Sequence, residues 1–429
     1  MIRLKKVYWG VSILALVTGV SILTQTYTNT YAANTLLGNN EVITIGDTTD
    51  GLPVNATVTA ESYSSDGNII LFSSNATNLP DAGGSGGLYT YNISTTATKR
   101  VDISTSGVYP NGGLFAVGGG ANARMSETGR YVTFGSWATN LIDGSTQPLR
   151  MIYKRDTQTG QTTLVGAGYT GGYSDKWDRN LDVSNDGRLI LVSSRYLANG
   201  YPNNYGYALG DNTSGAYSWT SLGTDDYYAN SGTGDLSCDG AFAVIKKNSQ
   251  ILLNDLRKGS TTTLTAGGYT SVSPIISCNG RYVLYATTNR TDITTTPSGM
   301  NSYLHLVRYD RITGERKYID SNSSDVFSTS NLSYNSTYSN VQSNIFNASI
   351  SDSGDAVFSY NGNTYLKHLS DGSGTLESLA KTTSGTYVNV ANGTITNDGR
   401  YLFFTADPYT LGLTPSPSSN QIIRTKTGI

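Results

Sequence analysis

Ser277-Cys278-Asn279-Gly280-Arg281-Tyr282-Val283-Leu284-Tyr285 reads as a tight turn feeding an apolar strand, and the chain makes such a turn seven times. Working outward, the other copies are Ser64-Ser65-Asp66-Gly67, Ser126-Glu127-Thr128-Gly129, Ser184-Asn185-Asp186-Gly187, Ser237-Cys238-Asp239-Gly240, Ser351-Asp352-Ser353-Gly354 and Thr396-Asn397-Asp398-Gly399. Asp-Gly or Asn-Gly between two extended runs is a strong hairpin signal, because a tight turn needs positive φ and glycine accepts it without steric cost. The runs that follow, such as Ile69-Ile70-Leu71-Phe72, Tyr131-Val132-Thr133-Phe134 and Tyr401-Leu402-Phe403-Phe404, are built from β formers.

A loop and a third strand come next, and then a second turn ending in glycine, as in Met151 to Gly160 and Leu306 to Gly314. A fourth strand follows at Thr162 to Val165 or Lys317 to Ile319. Four short antiparallel strands recurring at roughly 40 residues are the signature of a propeller blade. The sequence therefore predicts an all-β, seven-bladed β-propeller of four-stranded antiparallel blades. The seventh unit reaches its end at Arg424 to Ile429, where its fourth strand should begin, while Glu41-Val42-Ile43-Thr44-Ile45 precedes the first blade without one of its own. The N-terminal strand is expected to complete the last blade and close the ring, removing free inter-blade ends.

Composition fits a turn-rich sheet protein: 48 Gly, only 10 Pro, 31 Tyr and 14% charged residues in 429. A net charge of −2 gives no electrostatic footprint for nucleic acid. Arg3, Lys5 and Lys6 precede an apolar stretch from Val7 to Leu23, and Thr30-Tyr31-Ala32 supplies small residues for a peptidase. Residues 1–32 thus read as a secretory signal and 33–429 as the propeller, with an uncleaved membrane anchor as the alternative reading of the same stretch. Cleavage would leave no membrane span, and bacterial-type export to the periplasm, the cell surface or the extracellular space is expected. A monomer without cofactor is expected.

Export gives the two cysteines meaning. Cys238 and Cys278 hold the same place in consecutive turns. On neighbouring inner strands such points lie about 6 Å apart, inside the disulfide window. An inter-blade bridge is expected, against two free thiols at exposed turns that an oxidising compartment would disfavour. Two thiolates with no nearby His or further Cys make only half a zinc site, so no metal is expected.

The repeat resembles the TolB-like β-propeller family, whose units read as a Ser-x-Asp-Gly-Arg-Tyr turn, an apolar strand, an Ala/Ser-Thr-Asn-Leu loop start and an Arg-Asp-x-x-Thr-Gly turn. Here these stand as Ser277 to Tyr282, as Ala76-Thr77-Asn78-Leu79 and Ala138-Thr139-Asn140-Leu141, and, with one extra residue, as Arg155-Asp156-Thr157-Gln158-Thr159-Gly160. The resemblance covers nearly everything after residue 40 and implies the fold rather than a site, since the matching positions are turn and core residues. TolB proteins carry an α/β domain ahead of the propeller and work with an envelope complex; only Ala33 to Asn40 separates the expected cleavage point from the first strand here. Similar propellers precede the hydrolase domain of prolyl-oligopeptidase-like enzymes.

Enzyme signals are sparse. Gly83-Gly84-Ser85-Gly86-Gly87 has the spelling of a nucleophile elbow but sits in a Gly-rich loop without the strand, helix and His partner an elbow needs. The only histidines, His305 and His368, fall in or beside third strands, where packing outweighs base catalysis. Ser351-Asp352-Ser353-Gly354 has the spelling of an Asp-box, itself a structural turn. Carboxylate chemistry stays open, as propellers host glycosidases and lyases using Asp, Glu or Tyr.

Strand order puts the Asp-Gly and Thr-Gly turns on one face and the long segments 168–179, 223–234, 287–302 and 320–347 on the other. Those segments are rich in Tyr, Asn, Ser, Thr and Asp, which suit sugar or protein recognition or, alternatively, pack the loops onto the blades. Tyr173, Trp177, Asp226 and Tyr228 are the expected binding residues at the funnel mouth. The expectation is a non-catalytic protein- or glycan-binding module with no catalytic residues; the alternative is a carbohydrate-active enzyme, a lyase or glycosidase, with carboxylates or Tyr at the funnel mouth.

Overall fold

The structure is a computed structural model, and it describes residues 41–427 apart from 44, 46–47, 50–53, 83–85, 115–122, 147–150, 167–178, 195–204, 226–232, 268–270, 290–304, 321–347, 361–362, 371–375, 379–390 and 407–420. The expected signal segment, Ser85, and the expected binding residues Tyr173, Trp177, Asp226 and Tyr228 lie outside the described residues.

Among the described residues twenty-eight strands form seven four-stranded sheets, and in six of them the strands pair in sequence order. In the first blade these are β2 (Val58–Tyr63), β3 (Ile69–Ser74), β4 (Gly87–Asn92) and β5 (Ala97–Arg100). The seventh blade is the exception that closes the ring: β26 (Ala391–Ile395), β27 (Tyr401–Ala406) and β28 (Gln421–Lys426) are completed by β1 (Glu41–Ile43). Glu41 lies opposite Arg424 and Ile43 opposite Ile422. The Arg424 guanidinium holds the Glu41 carboxylate at 2.6 Å. The sequence-predicted closure is the observed one.

Hydrophobic burial is divided rather than pooled. Among the described residues seven apolar clusters occur, one at each contact between neighbouring blades. The cluster that joins the last blade to the first contains Ile43, Ile45, Phe403 and Ile422 beside Ile70, Phe72 and Tyr89. The alternation of the second and third strands supplies each sheet with two apolar faces, as a strand buried on both sides requires.

The recurrent turn folds identically around the ring. All seven of its glycines have positive φ, from 65° at Gly240 to 94° at Gly354. In the first copy the Ser64 hydroxyl donates to Asp66 Oδ1 at 2.7 Å and accepts the Ile69 N–H at 2.8 Å. The copies at Ser184, Ser237, Ser277 and Thr396 repeat this, each donating to the Asp or Asn two residues on. The turn residues thus satisfy their own buried polar groups, as interior backbone must.

The glycine has a second duty. A Cβ on Gly187 would lie 2.5 Å from the Tyr131 ring, on Gly240 2.6 Å from Leu189, and on Gly280 2.7 Å from Phe242. These turns are tucked beneath the first residue of the preceding blade's second strand, whereas Gly399 meets Ser351 and Ser353 of the preceding turn. Gly67 of the first blade meets Tyr401 and Phe403 of the last in the same manner, so the turn motif also records the closure.

Candidate functional site

The first strands of neighbouring blades touch one another around the axis, so the residues they present inward line a central channel. Two layers of that lining can be read from the repeat. The second residue of every turn is half-buried between a buried first residue and a buried glycine: Ser65, Glu127, Asn185, Cys238, Cys278, Asp352 and Asn397. Two residues before each turn lies a second half-buried set: Ser62, Arg124, Asp182, Asp235, Ile275, Ser349 and Thr394. Bulges fall within the first strand just ahead of this position in four blades, at Ala60/Ser62, Asn180/Asp182, Val272/Ile275 and Ala391/Thr394. A bulge adds a residue and re-aims the next side chain.

The upper of these layers latches blade to blade. Asp182 Oδ2 accepts the Leu236 N–H at 3.1 Å, Asp235 Oδ2 accepts the Ile276 N–H at 2.9 Å, and the Ser349 hydroxyl accepts the Ile395 N–H at 2.8 Å. Arg124 Nε donates to the Leu181 carbonyl at 3.0 Å. In each case the partner belongs to the next blade.

The turn layer closes its end of the channel. Cys238 and Cys278 form the expected disulfide, with Cα atoms 4.7 Å apart, within the normal range. The Cys238 N–H also donates to the Cys278 carbonyl, and the Asn185 N–H to that of Cys238. Asp352 Oδ1 accepts the Asn279 N–H at 2.7 Å, while its carbonyl takes the Asn279 side-chain amide at 3.0 Å. Asn397 of the seventh blade reaches the Cys238 sulfur of the fourth at 4.0 Å and hydrogen-bonds Glu127 of the second. Side chains from distant blades thus meet across the axis.

Four carboxyl groups gather here. Burial, reinforced by Asp235 and Asp352, pushes Glu127 up to about 8 against the opposing Asn397 hydrogen bond. Asp182 and Asp235 are hydrogen-bonded to each other. Burial and the Asp235 charge hold Asp182 well above the carboxylate range. Burial also raises Asp235, with the Ile276 N–H, Asp182 and Arg124 pulling the other way. Asp352 is raised by burial. Solvent reaches one side of each side chain along the channel, yet protein crowds the others closely enough to penalise charge, and like charges cannot all ionise together. Glu127 is therefore mostly protonated at neutral pH, while burial and mutual repulsion raise the Asp182–Asp235 pair, with Arg124 the only basic side chain in the two layers named above. Among the described residues no group of three or more His, Cys, Asp or Glu is placed to hold a metal ion.

The long-loop reading missed this cluster. The signal was available at two fixed offsets in the repeat: acidic residues at turn position two in two copies, and aspartates two residues before the turn in two others.

The other singled-out residues are structural. His305 Nδ1 lies 2.9 Å from Asp320 Oδ2, both side chains almost fully buried, and the imidazole meets Tyr318 edge-on at 5.8 Å. Ser351 to Gly354 is a turn of the ring. Asn78 and Asn140 of the two Ala-Thr-Asn-Leu stretches fasten the strand-entry loops, accepting the N–H groups of Asn55 and Asn111 at 3.0 and 2.9 Å.

Seven sheets of four antiparallel strands around one axis, with the first strand of the chain completing the last sheet, decide the architecture. The chain is a seven-bladed β-propeller. That fold is consistent with the TolB-like family its repeats resemble, and TolB proteins are among the solved structures it matches. One, from Agrobacterium tumefaciens, is 16% identical, with 66% of this chain and 89% of that chain covered and a TM-score of 0.37. Another, from Acinetobacter baumannii, is 13% identical over 88% of this chain and 58% of that chain, with a TM-score of 0.30. A prolyl endopeptidase structure is 13% identical over 87% of this chain and 48% of that chain, with a TM-score of 0.50. These likenesses concern the fold alone. No protein-family profile matches the chain, and no curated protein matches it.

Proposed function

We propose that the protein is an exported, monomeric propeller that binds a protein or glycan on its loop face without catalysis. The observation that carries this reading is the closed turn end of the channel. There, disulfide, amide and carboxyl side chains from the second, fourth, fifth, sixth and seventh blades engage one another across the axis. A ligand is left with the opposite face, where the strand-two-to-three loops and blade connections lie. The disulfide is in keeping with an oxidising compartment. The outer strands, mostly three or four residues long with β13 (Ser218–Asp225) the exception, discourage edge-to-edge association.

A carbohydrate-active enzyme is the second reading, favoured by the gathering of Glu127, Asp182, Asp235 and Asp352. Asp182, Asp235 and Asp352 already accept backbone N–H groups, and the cluster sits toward the closed end, which favours an architectural role. Incubating the protein with a polysaccharide panel and assaying new reducing ends and unsaturated products separates the two. Binding without turnover is expected. Turnover abolished by Glu127→Gln would replace the binding reading with the enzymatic one.

A further inference from the structure

Among the described residues four large hydrophobic side chains are exposed: Val108 (49%), Tyr109 (42%), Trp137 (41%) and Ile312 (65%). Three of them share one place. Val108 and Tyr109 lie in the connection between the first and second blades, and Trp137 follows β7 (Tyr131–Ser136), so all three stand on the loop face.

The two segments are strapped together. The Trp137 N–H donates to the Gly113 carbonyl at 2.9 Å. Asn111 exchanges hydrogen bonds with Thr139 at 2.8 and 2.9 Å, and Asn140 Nδ2 donates to the Tyr109 carbonyl at 2.9 Å. Beneath Tyr109 the Arg100 guanidinium lies 5.2 Å from the ring centroid, itself fixed by Asp102 at 2.8 Å, and the phenol donates to Asp81 at 3.3 Å. The ring is thus held with one face on the protein and the other toward solvent. Tyr109 lies four residues from Gly113, the strap partner of Trp137, so the two residues' Cα atoms are at most about 20 Å apart.

The internal repeat supplies a control. In the first blade the same strap recurs, with Asn55 exchanging hydrogen bonds with Thr77 and donating its backbone N–H to Asn78 Oδ1. The residue there equivalent to Trp137, one before the Ala-Thr-Asn-Leu stretch, is Asn75. The strap therefore does not require an exposed indole. Resting on the binding-module reading, we infer that Tyr109 and Trp137 form a glycan platform for a short neutral oligosaccharide.

Area and charge select that ligand. Side chains of this kind bury roughly 150–250 Å² each, so the exposed portions of the three total about 250 Å². That is well short of the ~800 Å² per partner of a stable protein interface. The carboxylates of Asp81 and Asp143 flank the platform, and Asp143, held below its usual range by the Ser104 and Ser106 hydroxyls, keeps its charge. The neighbouring cations are buried, Arg100 against Asp102 and Arg155 against the Ser104 carbonyl. An acidic sugar would meet repulsion, whereas flat rings on a rigid polar floor suit the faces of neutral sugars.

Calorimetric titration of the full protein with cellohexaose, xylohexaose, mannohexaose and chitohexaose, and with hexagalacturonate as the acidic counterpart, tests this. At least one neutral hexamer should bind, with hexagalacturonate weaker. Tyr109→Ala and Trp137→Asn should each weaken binding at least tenfold, while Ile312→Ala, on the turn face, leaves it unchanged. Trp137→Asn, which copies the first blade, should melt with the parent. Binding unaltered in both variants would overturn the platform and leave the binding-module reading standing. No binding of any neutral hexamer, or preference for hexagalacturonate, would overturn the ligand assignment.

Discussion

Glu127 shows how far one position in a repeated turn can depart from its neighbours. The turn needs a hydroxyl at its first place and glycine at its fourth, whereas the second faces the channel and is free to vary, from Ser65 to Cys238 to Glu127. A carboxyl group there with its pKa pushed to about 8 binds a proton in the folded state that the unfolded chain has lost above about 4.5. Folding stability therefore falls as pH rises from about 4.5 to 8. The raised Asp182–Asp235 pair acts in the same direction. Asp156 and Asp310 act oppositely. Arg130 and backbone N–H groups outweigh burial at Asp156, and Arg281 does so with the Ile312 N–H at Asp310, holding both at about 2. Their contribution is present above the unfolded value and lost as pH falls toward 2. Stability should thus peak near pH 4–5. Glu127→Gln should raise the melting temperature by a few degrees at pH 8, corresponding to roughly 1–3 kcal/mol after allowing for channel solvent, and change it little at pH 4. A pH-independent effect would show that Glu127 is not a buried neutral acid. Turn glycines were legible from the sequence for their φ, but not for packing under Tyr131, Leu189 or Phe242. That reason is tertiary and leaves no local mark.

At the scale of elements, alternation and turn spacing carried most of the information. Second and third strands were readable because both faces are buried and their residues are β formers. First strands were harder, since bulges interrupt their alternation and polar residues such as Asp182 and Asp235 occupy inward positions. The ring closure was readable only by accounting for every strand, as β1 is three residues long. Its contribution is tertiary: Ile43 and nearby Ile45 are almost fully buried in the cluster shared by the last and first blades. Deleting residues 33–46 removes both side chains, the Glu41–Arg424 pair and the cover on the β28 edge, and should lower the melting temperature by at least about 5 °C. Ile43→Ala isolates the packing share, expected at about 2–5 kcal/mol by urea denaturation. A deletion variant melting within a degree or two of the parent would refute closure as a source of stability.

For the whole molecule, seven apolar interfaces of similar make-up mean that no single core dominates, and stability is set by nearest-neighbour contacts plus the devices that join them. Two such devices lie far apart on the ring: β1 in the seventh blade, and the Cys238–Cys278 bridge between the fourth and fifth. The bridge was predictable because repeat equivalence converts a sequence separation of 40 residues into adjacency. The loop face was legible as a place but not as a set of residues, for Tyr109 and Trp137 fall in the connections 101–122 and 137–150, which were not among the segments singled out. In the chain-entropy account a crosslink over a loop of this size contributes about 3–4 kcal/mol, or ~4–5 °C for a propeller of this length. Cys238→Ser with Cys278→Ser should lower the melting temperature by that amount. The parent, unfolded in denaturant without reductant, should take up no thiol reagent and should take up two equivalents after reduction. Because the bridge belongs to the turn end and the platform to the opposite face, the double variant should keep its oligosaccharide affinity at temperatures where it remains folded. Labelling of both cysteines without reductant would remove the bridge, and loss of binding in a folded double variant would show that the two faces are coupled through the blades.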